Sequence, residues 1–445
     1  MTTPVLEQVD PATLRKVIVA AAIGNFVEWF DFALYGFLAT LIAAHFFPSG
    51  DATAGLLKTF AVFAVAFAFR PLGGIVFGLL GDRIGRKRVL ALTILIMAGA
   101  TALIGILPSY ATIGIWAPIL LTLIRCAQGF SAGGEYAGAC AYVMEHSPRD
   151  RRGRYGSFVP VSTFLAFASA ALTAWGLERL LGAATMADWG WRIPFLAAAP
   201  LGLIGLYLRL KLDETPAFQA LEADHEVSHS PLGETLRLQG RSILRLGAFI
   251  SLTALSFYMF TTYFSTYLQL AGGFDRAAAL AISLITLFAA AAACPVLGRV
   301  TDRIGRRMTT LLASLVLAAG VYPALLLASS GQFGSALLGS LLLGAGAVLC
   351  NVVTAPLLSE VFPTRTRYTA GAITYNLAYT IFGGTAPLMA TWLIGATGSN
   401  LSPALYLILV ALLGLVGGLS LPETSRIDLD DVSEGGEVSY RTVRG

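Results

Sequence analysis

Long apolar runs separated by short, arginine-rich polar clusters dominate this chain. A helix that crosses a bilayer needs about 20 mostly apolar residues. Twelve stretches qualify: 17–44, 56–80, 89–108, 113–143, 155–182, 191–210, 243–270, 277–298, 308–329, 333–361, 369–395 and 401–421. The pattern therefore predicts twelve spanning helices. The first sixteen residues are polar, and the run behind them is too long for a signal-peptide core, so the first span is expected to be retained.

The chain repeats itself. Gly81-Asp82-Arg83-Ile84-Gly85-Arg86-Lys87 returns as Thr301-Asp302-Arg303-Ile304-Gly305-Arg306-Arg307. Glu145, Pro148 and Arg154-Tyr155 are answered by Glu360, Pro363 and Arg367-Tyr368. Asp213-Glu214-Thr215 is answered by Pro422-Glu423-Thr424. Three echoes in one order predict an all-α integral membrane protein of two homologous six-helix bundles. Its expected divisions are a cytoplasmic segment 1–16, bundles 17–211 and 243–421, a central linker 212–242 and a short tail 422–445. Parallel repeats place a substrate near the midplane, between halves that rock around it.

Charge fixes the orientation. Only 13% of the 445 residues are charged and 56% are hydrophobic, about half the charge of a soluble domain. With the N-terminus inside, 24 of the 30 Lys and Arg fall in segments assigned to the cytoplasm, as the positive-inside rule requires. The net charge of +4 does not suggest nucleic-acid binding, and the arginine clusters are explained by topology. Cys126, Cys140, Cys294 and Cys350 stand singly, in no metal-binding or disulfide pattern.

Charges inside the membrane are costly and therefore informative. Glu28 and Asp31 lie mid-span at i,i+3, on one helix face. Two such carboxylates discourage each other's ionisation, which makes either a candidate proton carrier; the plain alternative is a structural pair with a buried arginine. Arg125, deep in the fourth span, cannot lose its proton in practice and must face a carboxylate of the protein or of a solute. Glu135 follows nearer the cytoplasm. Arg70 reads as structural, close enough to the inner face to snorkel.

The repeated loops predict a charge lock built from Asp82, Arg83 and Arg86 in one half and Asp302, Arg303 and Arg306 in the other. Gly129 with Gly133, and Gly74 with Gly78, permit close helix contact. Tyr258, Tyr263, Tyr375 and Tyr379 stand out among the aromatic residues of spans seven and eleven, and aromatic faces attract ammonium groups. His225-Glu226-Val227-Ser228-His229 fits a zinc-hydrolase spacing but lies in the polar mid-chain connection with no third ligand. No metal site is expected. Zinc in the purified protein would point instead to a membrane-embedded enzyme or sensor.

The paired Asp-Arg-Ile-Gly-Arg loops and Arg125-Cys126-Ala127-Gln128-Gly129 resemble signatures of the major facilitator superfamily. Gly24-Asn25, Glu28-Trp29-Phe30-Asp31-Phe32, the run Gln128 to Tyr136 and Asp188-Trp189-Gly190-Trp191 narrow the likeness to its metabolite:proton symporters, over roughly residues 14–426. The resemblance implies a non-enzymatic, cofactor-free carrier in a bacterial inner membrane, both termini cytoplasmic, acting as a monomer. It implies that Arg125 holds a carboxylate of a small organic solute, with Gln128, Tyr136, Asn25, Tyr35 and the four tyrosines as further solute contacts. Glu28, Asp31 or Glu135 would exchange the proton. A zwitterion such as proline or glycine betaine is expected, with a di- or tricarboxylate or other organic acid as the rival solute. After Thr424 there are no heptads, so no coiled coil is expected there.

Overall fold

The computed structural model describes residues 11–84, 86–133, 135–211, 231–363, 367–427 and 429, and omits some side chains within them, including those of 81–84, 86–88 and 135. Among the described residues every regular element is helical. Nine helices are individually long and apolar enough to cross a membrane. The shorter apolar helices Ala91–Ile106 and Arg192–Ile204, and the broken pair Trp116–Ser131 and Glu135–Glu145, complete twelve. They are called spans 1 to 12 below.

The spans form where hydropathy places them. Spans 2 and 8 begin at the same place in each half, after an aspartate that caps the helix: Asp51 accepts the Thr53 N–H at 2.8 Å and Asp275 the Ala278 N–H at 3.0 Å. Large apolar side chains such as Leu203, Ile204, Leu405, Leu409 and Val416 remain exposed on the outside. Such a surface is stable only against lipid.

One element differs from expectation. The helix of span 7 runs Pro231–Tyr258, so its start reaches back into the polar connection assigned to a linker. Pro231 suits a first helical position. Thr235, Gln239 and Ser242 turn inward while Leu236, Leu238 and Leu244 stay exposed, which makes this an amphipathic turn rather than a loop. The His225 to His229 segment lies outside the described residues.

Within the first half, span 1 packs on span 5, span 3 on span 6 and span 2 on span 4; within the second, span 7 packs on spans 11 and 12, and span 9 on spans 10 and 12. Spans 2 and 4 cross with backbone against backbone. A Cβ on Gly129 would strike the Ala66 carbonyl oxygen, and one on Gly133 the Arg70 carbonyl oxygen, so the small residues are used for packing. Between halves, span 5 lies along span 8 and span 2 along span 11.

Among the described residues three π-helical segments interrupt the α-helices: Met186–Gly190 after span 5, Met259–Tyr263 in span 7 and Tyr379–Gly383 in span 11. The last two flank the molecule's centre.

Candidate functional site

Asn25 anchors the first span. Its amide nitrogen donates to Ser162 Oγ at 2.9 Å, Thr163 Oγ1 at 2.7 Å and the Val159 carbonyl at 3.3 Å, all on span 5, and its oxygen accepts Trp29 Nε1 at 2.9 Å. Both ends of the amide are occupied by protein. Trp29 is thereby fixed at the seam of the two bundles. Its ring lies 5.2 Å from Phe257, 6.2 Å from Tyr258 and 6.4 Å from Tyr379 of the second half, and 6.2 Å from Tyr136 of the first. Tyr136 stacks on Tyr375 at 4.5 Å, and Tyr375 on Tyr379 at 4.0 Å. The hydroxyl of Tyr258 is buried with no hydrogen-bond partner among the described residues. Tyr263 stands apart, against Phe60 and Tyr267.

The two mid-span carboxylates part company. Glu28 takes Arg70 of span 2 at 3.0 Å, both side chains nearly fully buried. Arg70 therefore does not snorkel: it points into the protein, donates also to the Ala132 carbonyl and lies over Trp29, Phe32 and Phe67 at 5.2–5.6 Å. Asp31 instead accepts Thr101 Oγ1 of span 3 at 2.9 Å. Thr101 accepts Gln128 Nε2 at 2.6 Å, and Gln128 Oε1 accepts Arg125 Nη1 at 2.7 Å. One chain of hydrogen bonds joins Asp31 to Arg125 through two neutral side chains.

Arg125 is wholly buried, yet no carboxylate of the described residues lies in ion-pair contact with it, and its Nε and Nη2 have no hydrogen-bond partner. Its guanidinium rests over Tyr35 at 4.2 Å, Phe32 at 5.1 Å and Phe63 at 5.5 Å. Tyr35 is held for this contact by its hydroxyl, which donates to the Thr59 carbonyl at 2.9 Å. Cation–π contacts of desolvated groups are worth about 2 kcal/mol, less than the several kcal/mol that burying a lone cation costs. An anion at the unpartnered Nε and Nη2 would restore the balance. The side chain of Glu135 lies outside the described ones.

The centre is closed on both faces. On the arginine-rich face, Asp302 accepts the backbone N–H groups of Gly153 at 2.7 Å and Arg154 at 2.8 Å from the other half, and takes Arg306 at 2.9 Å. Arg306 also forks onto Glu360, with both contacts at 3.1 Å. Arg367 reaches Glu145 across the seam at 3.4 Å. Arg303 is exposed. The side chains of Asp82, Arg83 and Arg86 lie outside the described ones. On the opposite face, Arg276 of span 8 meets Glu178 of span 5 at 3.0 Å.

The segment after span 12 joins the arginine-rich closure. Glu423 accepts the N–H groups of Arg306 and Arg307, where Gly305 (φ +91°) leaves no room for a Cβ. Burial pushes the Glu423 carboxyl up, but the N–H donors of Arg306, Ser425 and Arg307 outweigh it and hold it below the usual range. Thr424 donates to Glu360 at 2.8 Å, Arg152 to the Ile427 carbonyl at 2.8 Å and Arg367 to the Leu429 carbonyl at 2.7 Å.

A Major Facilitator Superfamily model matches residues 21–387 and 276–436. The chain belongs to the major facilitator superfamily. It is 39% identical to the proline/betaine transporters of Salmonella typhimurium and Escherichia coli K12, over 97% of this chain and 89% of theirs. It is 38% identical to the ectoine/proline transporter of Corynebacterium glutamicum, over 94% of this chain and 86% of that one. The solved proton:xylose symporter XylE shares the fold, with a TM-score of 0.74 at 18% identity, over 94% of this chain and 98% of that one. The chain is thus a multi-pass membrane carrier, not an enzyme.

Sequence reasoning singled out Arg125, Gln128 and Asp31, which the structure joins in one network. It passed over Thr101, which reads as one more small residue in an apolar run, and it cited Trp29 only as part of a motif.

Proposed function

We propose that this carrier imports a small zwitterionic solute, proline or glycine betaine, together with a proton. The observation that carries the reading is the buried Arg125 edge. Two guanidinium nitrogens have no partner among the described residues and fit the fork geometry of a single carboxylate. The aromatic wall beside it, Phe63, Tyr258 and Trp29, suits an ammonium group. Asp31 is the proton carrier in this reading, because Glu28 is committed to Arg70. The names of the relatives in Salmonella, E. coli and Corynebacterium support the solute class. The rival di- or tricarboxylate would want a second cation; among the described residues Arg70 has its charge balanced by Glu28 through Nη2, while its Nε and Nη1 lack partners.

The carrier sits in the bacterial inner membrane as a monomer, the arginine-rich face and both termini in the cytoplasm. The distribution of the 30 cations supports that orientation. Contacts between the halves at both faces fit an occluded state between two open ones.

The test is uptake of radiolabelled proline, glycine betaine, 2-oxoglutarate and citrate into vesicles carrying the purified chain, under an imposed pH gradient. Accumulation of proline or betaine, abolished by dissipating the gradient, is expected. Accumulation of citrate or 2-oxoglutarate alone would give the site to the organic acids. Movement of none would overturn the reading.

A further inference from the structure

Thr101 is fully buried on span 3, and its hydroxyl has three neighbours. Gln128 Nε2 lies at 2.6 Å, Asp31 Oδ2 at 2.9 Å and the Met97 carbonyl at 2.9 Å. A hydroxyl has one proton and two acceptor sites. The Gln128 nitrogen can only donate, and Gln128 is held in that sense because its Oε1 accepts Arg125 Nη1 at 2.7 Å. Thr101 therefore always accepts from Gln128, and its single proton has two destinations.

The two destinations match the two states of Asp31. When Asp31 is ionised, the Thr101 proton points at Oδ2. Every donor from Arg125 through Gln128 and Thr101 then runs one way, toward the carboxylate. When a proton adds to Oδ2, Asp31 becomes the donor. Thr101 accepts from both Asp31 and Gln128, and its own proton turns to the Met97 carbonyl. Each group stays hydrogen-bonded in both states, no heavy atom need move, and no bond breaks except hydrogen bonds. The charge at the far end of the chain is what changes. With Asp31 neutral, the Arg125 cation no longer has an anion at the end of its hydrogen-bonded chain, and its open edge is left to bind a carboxylate from the solute.

We propose that Thr101 is the positioning residue that couples the proton on Asp31 to the solute site at Arg125, by turning its hydroxyl between Asp31 and Met97. The inference rests on the reading above, in which Asp31 carries the proton and Arg125 the solute. The charged groups around Asp31 are Arg125 from span 4 and, on its own helix, Glu28, which Arg70 of span 2 engages. Thr101 is the neutral link from span 3. Its order of events is proton first, solute second on loading, and the reverse on release.

Thr101→Val keeps the shape and removes the hydroxyl. Ionised Asp31 then loses its donor and Gln128 its acceptor, so Asp31 is held neutral and stops exchanging protons. For one proton per solute, a gradient of one pH unit supports about tenfold accumulation. The experiment uses purified wild type, Thr101→Val, Thr101→Ser and Asp31→Asn in vesicles, with whichever of proline or betaine the wild type accumulates. Each protein's gradient-driven accumulation is divided by its own counterflow, which needs no proton release. The ratio is expected to fall about tenfold in Thr101→Val and to return in Thr101→Ser. A Thr101→Val ratio equal to wild type would overturn the inference. So would a Thr101→Ser variant as impaired as the valine. If Asp31→Asn loses the ratio while Thr101→Val keeps it, only the Thr101 inference fails; if Asp31→Asn keeps it, the proton assignment beneath fails too.

Discussion

In the proposed cycle, Arg125 is the residue on which solute and proton meet. Its planar fork presents two nitrogens without a partner among the described residues, and a lysine would offer one compact charge in their place. Losing a buried charge-assisted contact costs about 2–5 kcal/mol. Arg125→Lys should therefore raise the half-saturating solute concentration at least about tenfold, and Arg125→Gln should abolish uptake; concentration-dependent vesicle uptake measures both. Uptake by Arg125→Gln at the wild-type rate would remove the clamp. The sequence placed Glu28 and Asp31 on one helix face, but i,i+3 positions diverge by about 60° around the axis. That divergence lets one carboxylate reach span 2 and the other span 3. Spacing along a helix shows which residues share a face; it does not show which neighbour that face meets, and so the separate partners were not legible.

At the scale of the element, the spans were legible because each is a long apolar run, and the closeness of spans 2 and 4 because glycines mark it. Gly133→Ala puts a methyl group into the Arg70 carbonyl, the same residue that holds Glu28. Overpacking of this kind costs about 1–3 kcal/mol. The expected outcome is a lower midpoint in a thermal melt of the purified carrier, with the melt of Gly99→Ala, where a Cβ meets nothing and alanine suits the helix, not lowered. Equal midpoints would mean that spans 2 and 4 have slack. The π-helical segments Met259–Tyr263 and Tyr379–Gly383 were not legible. One widened turn within a hydrophobic run leaves the hydropathy and spacing almost untouched. They matter because wide turns often mark functional positions, and here they carry Tyr263 and Tyr379, the latter against Trp29.

For the whole molecule, closure is a contest between two faces. Asp302 with Gly153 and Arg154, and Arg367 with Glu145, hold one; Arg276 with Glu178 holds the other. A ligand or substitution shifts such an equilibrium only by its difference between the states. Arg276→Gln removes a contact that crosses between the bundles at its own face. It should raise backbone hydrogen exchange near Glu178 and Arg276, while Arg367→Gln raises it near Glu145 and Ser359. Each shift in population should be about tenfold if the contact is worth about 1.4 kcal/mol. Exchange that rose on both faces in both variants would indicate general loosening instead of opposed gates. The two-bundle frame was legible from the three sequence echoes. The Glu178–Arg276 closure was not, because its partners lie far apart in sequence and in no repeated motif.

Thr424, Ile427 and Leu429 bridge the seam, gripped by Arg152 of one bundle and by Glu360 and Arg367 of the other. A bridge over a seam that parts must be unfastened and refastened with every molecule carried. A fluorescent protein or affinity handle attached beyond Leu429 would hang from this moving clasp, and its size and tether length would enter the turnover number.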